Sequence, residues 1–171
     1  VKNIVLVGFM GTGKSAVSAE IAHLRGMECI ESDEEVVRRA GMSIPEIFAA
    51  HGEAYFRDLE SEVLRELSGR REVVISTGGG AVLRDGNVAA LRSGGLVVCL
   101  DAGAEEIYAR TRTCTNRPLL QVEDPLGRIR ELLAARRPHY ERACVEPGFF
   151  IATEGRTPRE VAGEILTRLP W

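Results

Sequence analysis

The octet Gly8-Phe9-Met10-Gly11-Thr12-Gly13-Lys14-Ser15 fits G-x-x-x-x-G-K-[ST], set between an apolar run, Ile4-Val5-Leu6-Val7, and a segment of helical period. A strand, such a loop and a helix in succession grip the phosphates of a nucleoside di- or triphosphate. Glycines let the loop turn back so that backbone N–H groups converge on the anion, and the helix N-terminus adds partial positive charge. Lys14 can then reach the β- and γ-phosphates, and the Ser15 hydroxyl can ligate Mg²⁺. A glycine-rich turn holding a lone lysine is the plainer alternative, and it leaves the flanking strand and helix unexplained.

Three other groups follow apolar runs or sit on helical segments. In Glu31-Ser32-Asp33 two carboxylates stand two residues apart; one can hold Mg²⁺ through water while the other meets an acceptor hydroxyl. The same residues also suit a helix start, with Ser32 or Asp33 as N-cap. The run Ser76-Thr77-Gly78-Gly79-Gly80 lets main chain approach a ligand closely, or serves as a flexible strand-to-helix connection. Arg57, Arg117 and Arg136 carry guanidinium forks that match a carboxylate or phosphate, although most arginines in a chain are solvated.

The elements that must position these groups are legible from period and punctuation. Apolar runs predict strands near 3–7, 28–31, 72–76, 95–100 and 149–153. Helical periods predict helices near 14–25, 33–40, 44–50, 53–68, 84–92, 104–111, 125–141 and 158–168. Ser43-Ile44-Pro45-Glu46 and Thr157-Pro158-Arg159-Glu160 both read as capping boxes with proline in the first turn. Strands separated by helices imply an α/β chain: a three-layer α/β/α fold around a five-stranded parallel sheet, with ligands beyond the carboxyl ends of the strands. Residues 33–61 form an inserted helical region and 112–124 a polar, aperiodic stretch that reads as a lid. Both look like extensions of a single domain spanning 1–171.

Composition narrows the function classes. The chain has 171 residues and a net charge of −3, which gives no electrostatic footprint of a nucleic-acid binder. Lysine and arginine together number 22, and only Lys2 and Lys14 are lysines, so the loop lysine is not one of a crowd. Cys29, Cys99, Cys114 and Cys144 show neither zinc nor disulfide spacing. No apolar stretch approaches about 18 residues, and the first strand starts so early that no signal peptide is expected. A cytoplasmic, monomeric enzyme with no membrane or nucleic-acid partner is the expectation.

Taken together, these segments resemble the shikimate kinase family. The resemblance runs in order through Gly8-to-Ser15, the acidic pair at 31–33, Gly41-Met42-Ser43-Ile44-Pro45-Glu46-Ile47-Phe48, Gly52-Glu53, Phe56-Arg57 with Glu60, Gly78-Gly79-Gly80, Arg117-Pro118-Leu119-Leu120 and Arg136-x-Pro138-x-Tyr140. It implies transfer of the γ-phosphoryl group of ATP to the 3-hydroxyl of shikimate, a step towards chorismate and the aromatic amino acids. It also implies roles. Gly11, Thr12, Gly13, Lys14, Ser15 and Ala16 hold the ATP phosphates, with Arg110 and Arg156 flanking adenine. Asp33 meets the attacking hydroxyl, Arg57 and Arg136 clamp the carboxylate, and Gly78, Gly79 and Gly80 line the ring. Arg117 swings in with the lid to neutralise the transferring phosphoryl, and Ser15 and Glu31 serve Mg²⁺. The family usually has Asp-x-Asp after the second strand; Glu31 puts the first carboxylate on a longer arm, and the segment 143–158 is longer than the pattern. The nearest rivals are a P-loop kinase of gluconate or of a nucleoside monophosphate, and a non-catalytic nucleotide-binding domain. No N-K-x-D guanine signature is present for a switch GTPase.

Overall fold

The computed structural model describes residues 2–112, 120 and 122–171. Its strands are β1 (Asn3–Gly8), β2 (Glu28–Glu31), β3 (Val73–Ser76), β4 (Gly95–Asp101) and β5 (Phe149–Ala152). They form one sheet in the order β2-β3-β1-β4-β5, with every pairing parallel. Between and after them lie α1 (Lys14–Arg25), α2 (Ser32–Ala40), α3 (Ile44–His51), α4 (Glu53–Ser68), α5 (Asp85–Gly94), α6 (Ala104–Thr111), α7 (Pro125–Ala143) and α8 (Pro158–Thr167). Among the described residues no helix is long and apolar enough to cross a membrane.

The central strand explains the layering. All of β1 is buried, and its side chains alternate between the two faces of the sheet. Ile4 and Leu6 pack with Val17 and Ile21 of α1 and Val161 and Ile165 of α8. Val5 and Val7 pack on the other face with Val63 and Leu64 of α4, Leu91 of α5 and Ile129 of α7. Because β1 pairs with β3 on one side and β4 on the other, residue for residue, the carboxyl ends of the strands share one edge. The segments after β1, β2 and β3, which carry most of the chemistry-bearing residues, therefore meet there.

The element boundaries follow the sequence pattern closely, with local departures. β3 begins at Val73 rather than 72 because Glu72 takes a left-handed φ of 59°, which ends any extended run. Helix α2 starts at Ser32, one residue early, and neither Ser32 nor Asp33 is its N-cap; Glu31 holds that position without a side-chain capping bond. Both predicted capping boxes are formed, at Ser43 and Thr157. Helix α7 continues to Ala143 through Pro138, which cannot donate a hydrogen bond within the helix.

Asn3, fully buried, fastens the start of β3 to β1: its Nδ2 donates to the Arg70 carbonyl at 2.8 Å and its Oδ1 accepts from the Val73 N–H at 3.2 Å. Asn3→Ala leaves that buried N–H without a partner. We expect urea denaturation to show a loss of about 1–3 kcal/mol.

Candidate functional site

The loop after β1 has a backbone that demands its glycines. Gly8, Gly11 and Gly13 have φ of 144°, 78° and 99°, values that other residues rarely adopt. Gly13 is the N-cap of α1, so the first amides of that helix open onto the loop. Lys14 Nζ donates to the carbonyl oxygens of Gly8 at 2.8 Å and Phe9 at 2.9 Å, which folds the ammonium back over the loop. Thr12 is buried, its hydroxyl donating to the Phe9 carbonyl at 2.7 Å. Arg110 ties the loop to the segment after β5: Nη1 donates to the Gly11 carbonyl at 3.0 Å, and Nη2 to the Thr153 carbonyl at 3.5 Å.

Beside the loop lies a cavity of about 370 Å³. The loop and the start of α1 contribute Gly11, Gly13, Lys14, Ser15 and Ala16 to its lining, and α6 contributes Arg110. The same cavity is lined by Asp33, Arg57, Glu60 and Arg136, by Gly78, Gly79 and Gly80, and by Glu31 at the end of β2. Met10, Ile44, Phe48 and Phe56 supply an apolar wall. A half-open pocket of this volume, with an apolar wall and several convergent charges, suits one small molecule beside a phosphate chain.

The three glycines are required by close approach, not by unusual φ. A Cβ on Gly80 would lie 2.5 Å from the Arg57 guanidinium carbon, and one on Gly78 would lie 2.6 Å from Asp33 Oδ1 and 2.9 Å from Glu60 Oε2. At Gly79 it would meet the Met10 nitrogen at 3.1 Å and Arg136 Nη1 at 3.4 Å. The loop is thus a floor without side chains on which charged groups rest. It is held from both sides: the Gly78 N–H donates to Ser32 Oγ at 3.1 Å, and the Tyr140 hydroxyl donates to the Gly79 carbonyl at 2.6 Å. Burial pushes the Tyr140 phenol up, which keeps it protonated as that donor.

Arg57 is held by two acids of its own helix, Glu60 Oε1 at 2.9 Å and Glu53 Oε2 at 3.3 Å. Glu60 is fully buried, and burial raises its pKa against the pull of Arg57. Arg136 is 3% exposed, lies over the Phe9 ring at 5.5 Å, and its Nη1 has no hydrogen-bond partner among the described residues. Burial lowers its pKa from the usual arginine value. A buried guanidinium with an unused donor, aimed into a cavity, is what an anionic ligand would satisfy.

Most residues singled out from the sequence converge here, with three exceptions in placement. Arg117 lies outside the described residues, as does most of the expected lid. Arg156 is not in the cavity wall; it pairs with Glu164 at 2.6 Å and donates to the Ala152 carbonyl at 3.1 Å. Thr12 turns its side chain inward. Conversely, the sequence assigns Glu60 and Tyr140 no role at the site, and Ser32 only that of a possible N-cap. The signal for Glu60 was present: on α4 the buried positions are Phe56, Arg57, Glu60, Val63, Leu64 and Leu67, so two opposite charges occupy the apolar stripe.

A phosphate-gripping loop and an arginine-flanked pouch that open into one cavity, on this sheet order, define a P-loop kinase of a small anionic acceptor. Comparison with known proteins narrows that class. The family model described as shikimate kinase matches residues 10–170. A shikimate kinase of Thermodesulfovibrio yellowstonii is 48% identical over 96% of this chain and 93% of its own length. The structure of a shikimate kinase from Acinetobacter baumannii in complex with shikimate superposes with a TM-score of 0.93 at 41% identity, covering 98% of this chain and 92% of that one. That of Aquifex aeolicus gives 0.83 at 39%, covering 97% and 95%. The chain belongs to the shikimate kinase family.

Gly80→Ala puts a methyl group where the Arg57 guanidinium rests. We expect that arginine to be displaced and KM for the acceptor to rise about tenfold or more, the loss of roughly one charge-assisted hydrogen bond. Steady-state kinetics alongside a thermal melt of unchanged midpoint would separate this from misfolding.

Proposed function

We infer that the chain is an ATP-dependent shikimate kinase, transferring the γ-phosphoryl group to the 3-hydroxyl of shikimate to give shikimate 3-phosphate and ADP. The observation that carries the reading is the shared cavity, lined at once by Lys14 and Ser15 and by Asp33, Arg57 and Arg136. Family membership supplies ATP and the acceptor.

The residue roles follow from chemistry. Gly11, Thr12, Gly13, Lys14, Ser15 and Ala16 embrace the phosphates with main-chain amides and one ammonium. Arg57 and Arg136 take the acceptor's carboxylate, and Gly78, Gly79 and Gly80 let the ring lie close to main chain. Asp33 receives the proton of the attacking hydroxyl or orients it. Phosphoryl transfer asks mainly for in-line positioning and positive charge on the equatorial oxygens. Lys14 offers part of that charge, and Arg117, from a lid over 112–124, the rest. Lid closure excludes water as a competing nucleophile. The site's hard oxygen donors, the Ser15 hydroxyl and the Glu31 carboxylate, fit Mg²⁺. Among the described residues no cluster of three or more His, Cys, Asp or Glu could hold a metal alone, which suits an ion that takes its other ligands from phosphate and water. Bound there, Mg²⁺ would neutralise phosphate charge. Arg110 flanks adenine, supported by its bridge between the loop and Thr153; Arg156 flanks the same pocket once released from Glu164. The same reading takes the chain as a single domain with 33–61 as the acceptor region, acting as a monomer in the cytoplasm.

A coupled ADP-release assay with shikimate, gluconate and nucleoside monophosphates tests the reading; turnover with shikimate alone is expected, and preference for another acceptor would sink it. Asp33→Asn should lower kcat by about 10²–10⁴. Arg136→Ala should mainly raise the KM for shikimate, because it removes a clamp present before the transition state. An unchanged KM would remove Arg136 from the acceptor site.

A further inference from the structure

The charges around the acceptor pouch balance before any acceptor enters. Arg57 and Arg136 are two buried cations. Glu60 faces Arg57 at 2.9 Å, and its other oxygen, Oε2, approaches the same point beside Gly78 as Asp33 Oδ1. Two buried cations thus stand against two carboxylates. Glu53, the third acid on Arg57, lies at the solvated rim with 46% of its side chain exposed, where water screens it. Tyr140 is neutral; Lys14, as buried as Arg57, lines the same cavity from the start of α1, with Arg110 of α6 and Glu31 at the end of β2, so the balance drawn here is that of Arg57 and Arg136 with the carboxylates beside Gly78.

An acceptor carboxylate adds one negative charge to this balance and competes with Glu60 for the guanidinium of Arg57. An uncompensated charge in a buried site is costly, and the group that can shed one is an acid with no water around it. Glu60 is fully buried, and its Oε2 has no hydrogen-bond partner among the described residues.

Building on the reading of this pouch as the shikimate site, we propose that the acceptor carboxylate enters together with a proton, and that Glu60 takes that proton. The step balances simply: solvent supplies H⁺, the Glu60 carboxylate becomes a carboxylic acid, and Arg57 transfers its ion pair from Glu60 to the ligand. Burial raises the Glu60 pKa against the pull of Arg57 and, more weakly, Arg136, and the Asp33 charge adds to the rise. A ligand carboxylate on Arg57 acts in the same direction, so the pKa is higher in the complex than in the free protein. The sign of the linkage follows. Affinity is full below the free-state pKa and declines as pH rises through the bound-state value. Glu60 is here a positioning residue with a second task, because its ionised form aims Arg57 before binding and its neutral form leaves that cation to the ligand.

Isothermal titration of the full chain with shikimate, in pairs of buffers differing in ionisation enthalpy and at several pH values across the interval in which the protein stays folded, reads the protons taken up. The expected result is uptake reaching roughly half a proton or more at its maximum, with affinity falling up to about tenfold per pH unit over the same interval. Glu60→Gln should bind shikimate with no uptake and no pH dependence there. Glu60→Asp, a second variant if the amide fails to fold, should keep the uptake but move its pH maximum. Binding with less than about a tenth of a proton at every pH would overturn the proposal, as would uptake that survives in Glu60→Gln. Absence of shikimate binding at any pH would instead overturn the assignment of the pouch, and the proton linkage with it.

Discussion

A buried ion pair resting on bare main chain organises this molecule's functional edge. Arg57 and Glu60 meet at 2.9 Å inside the protein, and the guanidinium occupies the place where a side chain on Gly80 would begin. Such a pair is weak evidence for stability, because desolvating two charges offsets most of their attraction. A pair of apolar residues on α4 would have packed the same stripe at less cost. That a cation is held there, beside a second buried arginine with an unused donor, makes sense once an anion is to be received. Much of what surrounds it follows: the side-chain-free loop after β3, the Ser32 and Tyr140 hydrogen bonds that fix that loop from opposite sides, and the aromatic rings under Arg57 and Arg136.

The parallel sheet turns this local arrangement into a two-substrate site. With β1 in the middle and β3 and β4 as its neighbours, the phosphate loop leaves the sheet next to the glycine floor. Met10 of the first is within van der Waals reach of Gly79 of the second. Donor and acceptor halves therefore need no hinge between them to face each other. The inserted helices α3 and α4 add further wall, with the rings of Phe48 and Phe56 5.2 Å apart and tilted by 45°.

What the sequence disclosed and what it hid have separate physical reasons. Strand and helix positions were legible because burial imposes periods of two and 3.6 on apolar residues, and the phosphate loop because its glycines are needed for positive φ. The triple glycine was legible as a close approach, but not what approaches: charged side chains from α2, α4 and α7 come to it from far along the chain. Ser32 was readable as a cap, and its actual task, accepting from the Gly78 N–H, depends on a partner 46 residues away. In the sequence Glu60 stands out only as a member of the Phe56-Arg57 pattern; its burial becomes legible when the apolar stripe of α4 is traced through it. For Arg156 the hidden part is its partner: the guanidinium meets Glu164 on the next helix, a contact that the loop sequence does not show.

The dominance of arginine over lysine acquires a physical reading in this setting. Burial disfavours the charged form of any base, and the effect is visible at Arg136, whose pKa is lowered mainly by desolvation. An arginine starts so high that it remains a cation after such a shift, whereas a lysine in the same place would move towards neutrality. The acceptor clamp must hold its charge when no ligand is present, so guanidinium suits it. Lys14 is placed differently: its slim ammonium is held on the loop's own Gly8 and Phe9 carbonyls, and an ammonium is suited to phosphate as a point charge. Titration then falls to a carboxyl. An acid made harder to ionise by burial can gain or lose its proton without disturbing either cation, and in this pouch Glu60 is placed to do so.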